Sequence, residues 1–429
     1  MPGTLRRVAV IGSARTPFAR SNARYVDAGN PEMLTAAFAA LVERFGLRGT
    51  RLGEVAAGAV IKHPRDWNLT REAALGAGLD PRTPAYDVQR ACGTSLTTAI
   101  QIGQRIALGE IEAGIAGGVD TASDVPVGYG RALNRIALDS GRGKTWGARI
   151  RPWLKVRPAD LKPATPGVVE PRTGLSMGEH CERMAKQWRI GRAEQDELAY
   201  RSHVNATGAW DSGFYDDLVA PFAGLGRDNN VRADTTPEKL AALKAVYDRS
   251  AAGTLTAGNS TPLTDGASCV LLASDAWANA RGLVAQAYLT HWSVAAVDFA
   301  GILGPPEGLL MAPTYAVPEM LDRAGLTLQD FDIYEIHEAF AAQVLCTLAA
   351  WESEDYCRSM LKRNRALGPI DRARLNPRGG SIALGHPFAA TGARIVGTLA
   401  KQLQQRGAGR GLVSICTAGG MGVAAILER

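Results

Sequence analysis

Long hydrophobic runs are absent from this chain. No stretch reaches about 18 uninterrupted apolar residues, so no membrane-spanning helix is expected. The opening MPGTLRRVAVIGSARTPF carries arginines but no apolar segment of signal-peptide length, which points to a cytoplasmic protein. Cysteine is sparse, with 6 residues in 429, and no CxxC pair occurs. That spacing argues against a disulfide framework or a cysteine-built zinc site and favours a reducing compartment. Nucleotide signatures are missing too. GRGKT at 141–145 lacks the first glycine of a P-loop, because Leu138 stands there, and no GxGxxG follows a strand. His337-Glu338 begins like a zinc-protease HExxH, but Ala341 occupies the second histidine position, so no metal centre is expected.

What remains is the composition of a soluble globular chain, 46% hydrophobic and 21% charged, long enough for two or three packed units. Its 48 glycines against 22 prolines favour tight turns over disordered linkers. The net charge of +6 is uneven: nine Lys or Arg against two Asp fall between Gly128 and Pro163, leaving the rest near neutral. One basic segment suggests a local anionic ligand or lipid surface rather than a nucleic-acid groove, although a solvated loop has the same composition.

Short apolar runs alternate with helical spacings, which implies layered α/β architecture. Val8 to Ile11 reads as a buried strand ending at Gly12. Met33 to Phe45 has the spacing of a helix stopped by Gly46. ACGTSLTTAIQIGQRIALG, followed by GIAGGV, and GHPFAATGARIVGTLAKQL, followed by GLVSICTAGG, are the same helix-then-strand unit used twice. The domain reading is 1–122 with 251–283 as one half, 284–429 as the other, and 123–250 as an insertion. That insertion holds the basic segment, a Pro-rich stretch and an amphipathic helix at MGEHCERMAKQW.

Three positions draw attention for chemistry. Cys92 lies where an extended run yields to a helix, and a thiol at a helix N-terminus is expected to favour its thiolate. His386 sits in a Gly-His-Pro turn entering another helix. Cys416 ends a strand before a glycine turn whose N–H groups could face an oxyanion.

ACGTSL around Cys92, GNSTPLTDGAS at 258–268, HEAFAAQ at 337–343, GGSIALGHPFAATGAR at 379–394 and CTAGGMG at 416–422 together resemble the thiolase family, over nearly the whole chain. The resemblance implies two βαβαβαββ halves in an αβαβα arrangement with an inserted loop domain. It also implies an acyltransferase acting on 3-oxoacyl-CoA with coenzyme A as substrate and no permanently bound cofactor. Cys92 would be the acylated nucleophile, His386 its base and a donor to the thioester oxygen, and Cys416 the acid-base partner of acetyl-CoA or the CoA thiol. The N–H groups of Cys92 and Ala418 would hold the acyl oxygen, and Met177, Thr261 and Phe340 would lie along the pantetheine arm.

Two departures are informative. His337 stands where many members have Asn, and Ala418 where many have Gly. Both variations are similar to the branch containing the β subunit of the fatty-acid-oxidation trifunctional enzyme. That branch implies a homodimer or larger oligomer, an α subunit with hydratase and dehydrogenase activities, and peripheral membrane contact through 128–163. The alternatives are a biosynthetic acetyl-CoA acetyltransferase and a non-catalytic acyl-CoA-binding scaffold. A β-ketoacyl synthase, which would put His or Asn at 416, is disfavoured.

Overall fold

The computed structural model of the chain describes residues 5–164, 166–167 and 169–429; positions 165 and 168 of the Pro-rich stretch lie outside the described residues. The first half runs β1 (Ala9–Arg15), α1 (Asn30–Arg44), β2 (Glu54–Ala57), α2 (Leu69–Gly76), β3 (Ala85–Asp87), α3 (Thr94–Ala107) and β4 (Ala113–Asp120). A long connection follows, with helices α4 (Arg131–Gly141), α5 (Met177–Gln187) and α6 (Arg192–Asp211), before β5 (Thr264–Ala273). The second half holds β6 (Ala287–Ala296), α7 (Pro313–Ala324), β7 (Ile333–Ile336), α8 (Ala341–Glu352), α9 (Thr391–Arg406), β8 (Arg410–Thr417) and β9 (Met421–Glu428).

These nine strands lie in one 10-stranded sheet, in the order β3-β2-β4-β5-β1-β6-β9-β8-β7, and the tenth, the two-residue strand Ala19–Arg20, pairs with the start of β5. That order is nearly a palindrome of equivalent strands. β2 lies parallel to β4 as β7 lies parallel to β8, and β4–β5 is antiparallel as β8–β9 is. The partner expected beside β7 is reduced to a single parallel bridge, Tyr334 to Leu375. At the centre of the sheet the strands of the two halves pair at Ala9–Tyr288 and Val10–Ala287.

Strand alternation explains the layers. On β5, Ala267, Cys269 and Leu271 pack with Leu34, Phe38 and Leu41 of α1, while Val270 and Leu272 face α3 and α9. On β9, Val423, Ala425 and Leu427 join that same inner layer, whereas Ala424 and Ile426 face the α7 and α8 side. Helices α3 and α9 are thus enclosed between two half-sheets, each with helices on its outer face: αβαβα. Residues Thr391–Leu403 of α9 are all buried. The central pair approaches closely because Gly392 has no side chain; a Cβ there would lie 2.3 Å from the Leu96 backbone nitrogen.

β1 is longer than the apolar run predicts. Gly12 marks a register shift between Val10 and Gly12, and the strand then continues to Arg15. A Cβ at Gly12 would meet the Phe45 ring at 2.4 Å, so this glycine admits a neighbour from α1 instead of ending the strand.

The connection from β4 to β5 folds over the molecule and is pinned by a buried ion pair. Arg15 donates to both carboxylate oxygens of Asp228, at 2.6 and 2.7 Å, and the Phe18 N–H and Trp210 Nε1–H add further donors to them. α5 starts with a capping box: Ser176 Oγ accepts from Glu179 N–H, and the Glu179 carboxylate accepts from Ser176 N–H.

Candidate active site

Cys92 lies between β3 and α3, two residues before the first helical turn. Its approach is strained: Ala91 has φ 41°, a left-handed conformation that L residues seldom adopt outside sites which need it. Thr94 holds the bend, with Oγ1 accepting from Arg90 N–H at 2.8 Å and donating to the Ala91 carbonyl at 2.7 Å. The sulfur is thereby presented half-buried, while α3 beyond it is packed into the core.

His386 reaches it from the other half of the chain. Its Nε2 is 3.2 Å from Cys92 Sγ, and its Nδ1 is 2.5 Å from Thr391 Oγ1. The Thr391 hydroxyl donates to the Pro387 carbonyl, leaving its oxygen to accept from the imidazole. The assigned tautomer is therefore Nδ1–H, with the Nε2 lone pair turned towards the thiol. Gly385 precedes it at φ 102°, where a Cβ would strike Asn230 and Thr264.

His337 is fully buried, its ring centroid 4.2 Å from that of His386. Ligating atoms of Cys92, His337 and His386 all lie within 4.8 Å of one another. Ser381 Oγ is 2.8 Å from His337 Nδ1 and accepts from the Arg394 guanidinium at 2.7 Å. With the arginine already donating, the hydroxyl proton is free to point at Nδ1, which places the His337 proton on Nε2. That Nε2 has no partner among the described residues. A buried N–H donor is thus held ready beside the Cys92–His386 pair.

The next residue fixes the frame. The Glu338 carboxylate accepts from Ser202 Oγ, Asn376 Nδ2 and Ile382 N–H at 2.8, 2.5 and 3.1 Å, tying α6 and the 376–382 loop to the strand end that carries His337. A Cβ at Gly380 would sit 2.1 Å from that carboxyl group.

Cys416, the penultimate residue of β8, is buried; burial and then a charge on Cys92 push its thiol pKa up. Ala418 needs no left-handed backbone, because the residues at positive φ are Gly419 and Gly420, at 75° and 69°. The backbone N–H groups of Ala418 and of Cys92 itself favour the charged form of the Cys92 sulfur. Glu170, from the long connection, clamps this turn by accepting from Gly419 N–H at 2.7 Å.

The electrostatics correct one expectation. The two N–H donors favour a Cys92 thiolate, but burial outweighs them and pushes the thiol up to about 12. Burial, followed by the Arg394 charge, holds His386 down at about 3. Burial likewise holds His337 well below the usual histidine value. The resting site is a neutral thiol beside neutral imidazoles. Transfer of the Cys92 proton to His386 within the pair leaves its net charge unchanged.

Met177, Thr261 and Phe340 are linked through shared neighbours. Thr261 donates through both N–H and Oγ1 to the Ala339 carbonyl, and Ser260 bridges Phe340. Phe340 meets Tyr247 edge-on at 5.8 Å, and Gly178, beside Met177, is kept small by that same tyrosine ring. Sequence reasoning missed Ser381, Arg394, Thr391, Glu170 and Tyr247. The Ser in GGSIALGHP was visible as a polar residue before an apolar turn, but its partner His337 lies 44 positions away.

The site can acylate a thiol, protonate a carbanion and stabilise two oxyanions. Comparisons agree. Residues 8–276 match the family model "Thiolase, N-terminal domain" and 285–429 match "Thiolase, C-terminal domain". The chain is 42% identical over 428 residues to a 3-ketoacyl-CoA thiolase of Pectobacterium atrosepticum, covering 98% of this chain and 96% of that one. It is 40% identical to one from Shewanella baltica, covering 98% and 97%. Among solved structures, a Bacillus anthracis acetyl-CoA acetyltransferase superposes with TM-score 0.80 at 30% identity, covering 99% of both chains. Human mitochondrial 3-ketoacyl-CoA thiolase gives the same TM-score and coverage at 26% identity. With both family domains matched in order across its length, this chain belongs to the thiolase family.

Proposed function

We propose that the chain cleaves 3-oxoacyl-CoA with free CoA, giving acetyl-CoA and a shortened acyl-CoA in a ping-pong cycle. The observation that carries this is the 3.2 Å contact from Cys92 Sγ to His386 Nε2, with the tautomer that leaves Nε2 as acceptor. His386 takes the thiol proton as sulfur attacks the C3 carbonyl, and the N–H groups of Cys92 and Ala418 receive the developing oxyanion. Breaking the C2–C3 bond leaves an enolate of acetyl-CoA. Its oxygen accepts from the His337 Nε2–H and from the now protonated His386. Cys416 donates its proton to C2, releasing acetyl-CoA. The Cys416 thiolate then deprotonates the incoming CoA thiol, which attacks acyl-Cys92. The departing Cys92 sulfur recovers its proton from His386.

Met177, Thr261 and Phe340, with Tyr247, form the wall for the pantetheine arm. Lys and Arg between 128 and 163 meet the CoA phosphates. In this segment Trp146 and Leu154 are each 80% exposed beside basic residues, the composition of a peripheral lipid or α-subunit contact. Salt-sensitive cosedimentation with anionic liposomes is expected, and its absence would remove the lipid reading. No helix among the described residues is long and apolar enough to cross a membrane. The setting is a cytoplasmic homodimer or larger oligomer acting in fatty-acid degradation.

The similarity to the Bacillus anthracis acetyltransferase favours one second reading, condensation of two acetyl-CoA molecules. Rates on four-carbon and sixteen-carbon 3-oxoacyl-CoA with CoA decide. Thiolysis of the longer substrate is expected; activity confined to acetoacetyl-CoA would favour the second reading.

A further inference from the structure

The side chains placed for the proposed acyl transfer also have the composition of a metal donor set. Cys92, His386 and His337 bring one sulfur and two ring nitrogens within 4.8 Å of one another. The Nδ1 atoms of both histidines are engaged, by Thr391 and Ser381, so the nitrogens left for a further partner are the Nε2 atoms. His337 Nε2 is fully buried with no partner among the described residues. We propose that these three side chains form a zinc-binding site whose occupation reversibly blocks the enzyme.

One thiolate and two imidazoles around an open position make a familiar zinc donor set, with water as fourth ligand. Tetrahedral zinc at ordinary bond lengths places its ligand atoms roughly 3.3–3.6 Å apart. The Sγ to Nε2 contact of 3.2 Å is already near that spacing. The third ligand needs an inward shift of about 1 Å. Each histidine also has the hydroxyl support on Nδ1 that metal-bound imidazoles require. Cys92 is half-buried, so the site has an entrance, whereas the other five cysteines are buried.

The protons balance. Cys92 S–H loses its proton to solvent as the Zn–S bond forms. His386 already offers an Nε2 lone pair. His337 moves its proton from Nε2 to Nδ1, and the Ser381 hydroxyl turns so that its oxygen accepts from both Nδ1–H and Arg394. One proton is released per ion. The Arg394 charge opposes a dication, and Glu335 and Glu338 offset that charge to the extent that they ionise, burial raising both carboxyls and bringing Glu335 to about 7. Zinc then holds the nucleophile, its base and the enolate donor together, so no step of the cycle can begin. An amide at 337 would leave two strong ligands and a weak site.

The test uses Co2+ as a spectroscopic probe on the full-length protein, independently of activity. One Co2+ per chain is expected to give tetrahedral visible bands and a thiolate charge-transfer band, all displaced by Zn2+. Zn2+ is also expected to protect Cys92 of the wild type from iodoacetamide, reversibly with a chelator. His337→Asn should weaken Co2+ binding ~10-fold or more, since loss of mere supporting groups already costs that much. Cys92→Ser should abolish the charge-transfer band. Unprotected Cys92, a band that persists in Cys92→Ser, or equal affinity in His337→Asn would each overturn the proposal, and the alkylation result needs no variant to fold.

Discussion

At the residue scale, the Cys92 sulfur sits between opposing influences. Two N–H groups and the start of α3 favour its charge, and burial disfavours it more strongly, up to about 12. The sign of the pH dependence follows. Below that value each pH unit raises the thiolate fraction about tenfold. Alkylation of Cys92 by iodoacetamide, followed by peptide mass spectrometry, should therefore keep rising from pH 7 to pH 10 without a plateau. A plateau near neutrality would show a stabilised thiolate. Ser381 acts one bond further out, as a positioning residue that sets the His337 tautomer. Ser381→Ala should lower kcat about 10- to 100-fold with little change in KM, since in the proposed cycle the N–H lost from aim serves the enolate and not the ground state. Ser381→Thr should restore most of it. A pure KM effect would contradict this role.

Elements were legible where the period was local. The spacing at Met33–Phe45 anticipated α1 at Asn30–Arg44, and the break at Cys92 anticipated the start of α3 at Thr94. The doubled helix-then-strand pattern anticipated α3 with β4 and α9 with β8. Gly12 misled because a glycine in an apolar run reads the same whether it ends a strand or admits a ring from elsewhere. The strain at Ala91, the Glu338 anchor and the Ser381–Arg394 support depend on residues far apart in sequence, and no spacing rule reports them. At this scale the α3–α9 approach makes a test. Gly392→Ala forces the helices apart and should lower stability by about 1–3 kcal/mol, read as a shifted denaturation midpoint with unchanged slope. An unshifted midpoint would mean that the helices are not in close contact.

Across the whole molecule, a near-symmetric pair of halves is interrupted on one side only. Cys92 comes from the first half, His337, His386 and Cys416 come from the second, and the long connection contributes Glu170 and Met177. The Arg15–Asp228 pair attaches that connection to β1, and both side chains are almost wholly buried. Asp228→Ala leaves a buried guanidinium uncompensated and should cost about 3–5 kcal/mol in chemical denaturation. A loss under about 1 kcal/mol would show that the pair is hydrated. The proposed cycle turns on covalent chemistry at one sulfur, which intact-protein mass spectrometry reads out after the protein is mixed with acetoacetyl-CoA. One acetyl group is expected on the wild type and none on Cys92→Ala. An unmodified wild type, or an equal adduct on the variant, would contradict it.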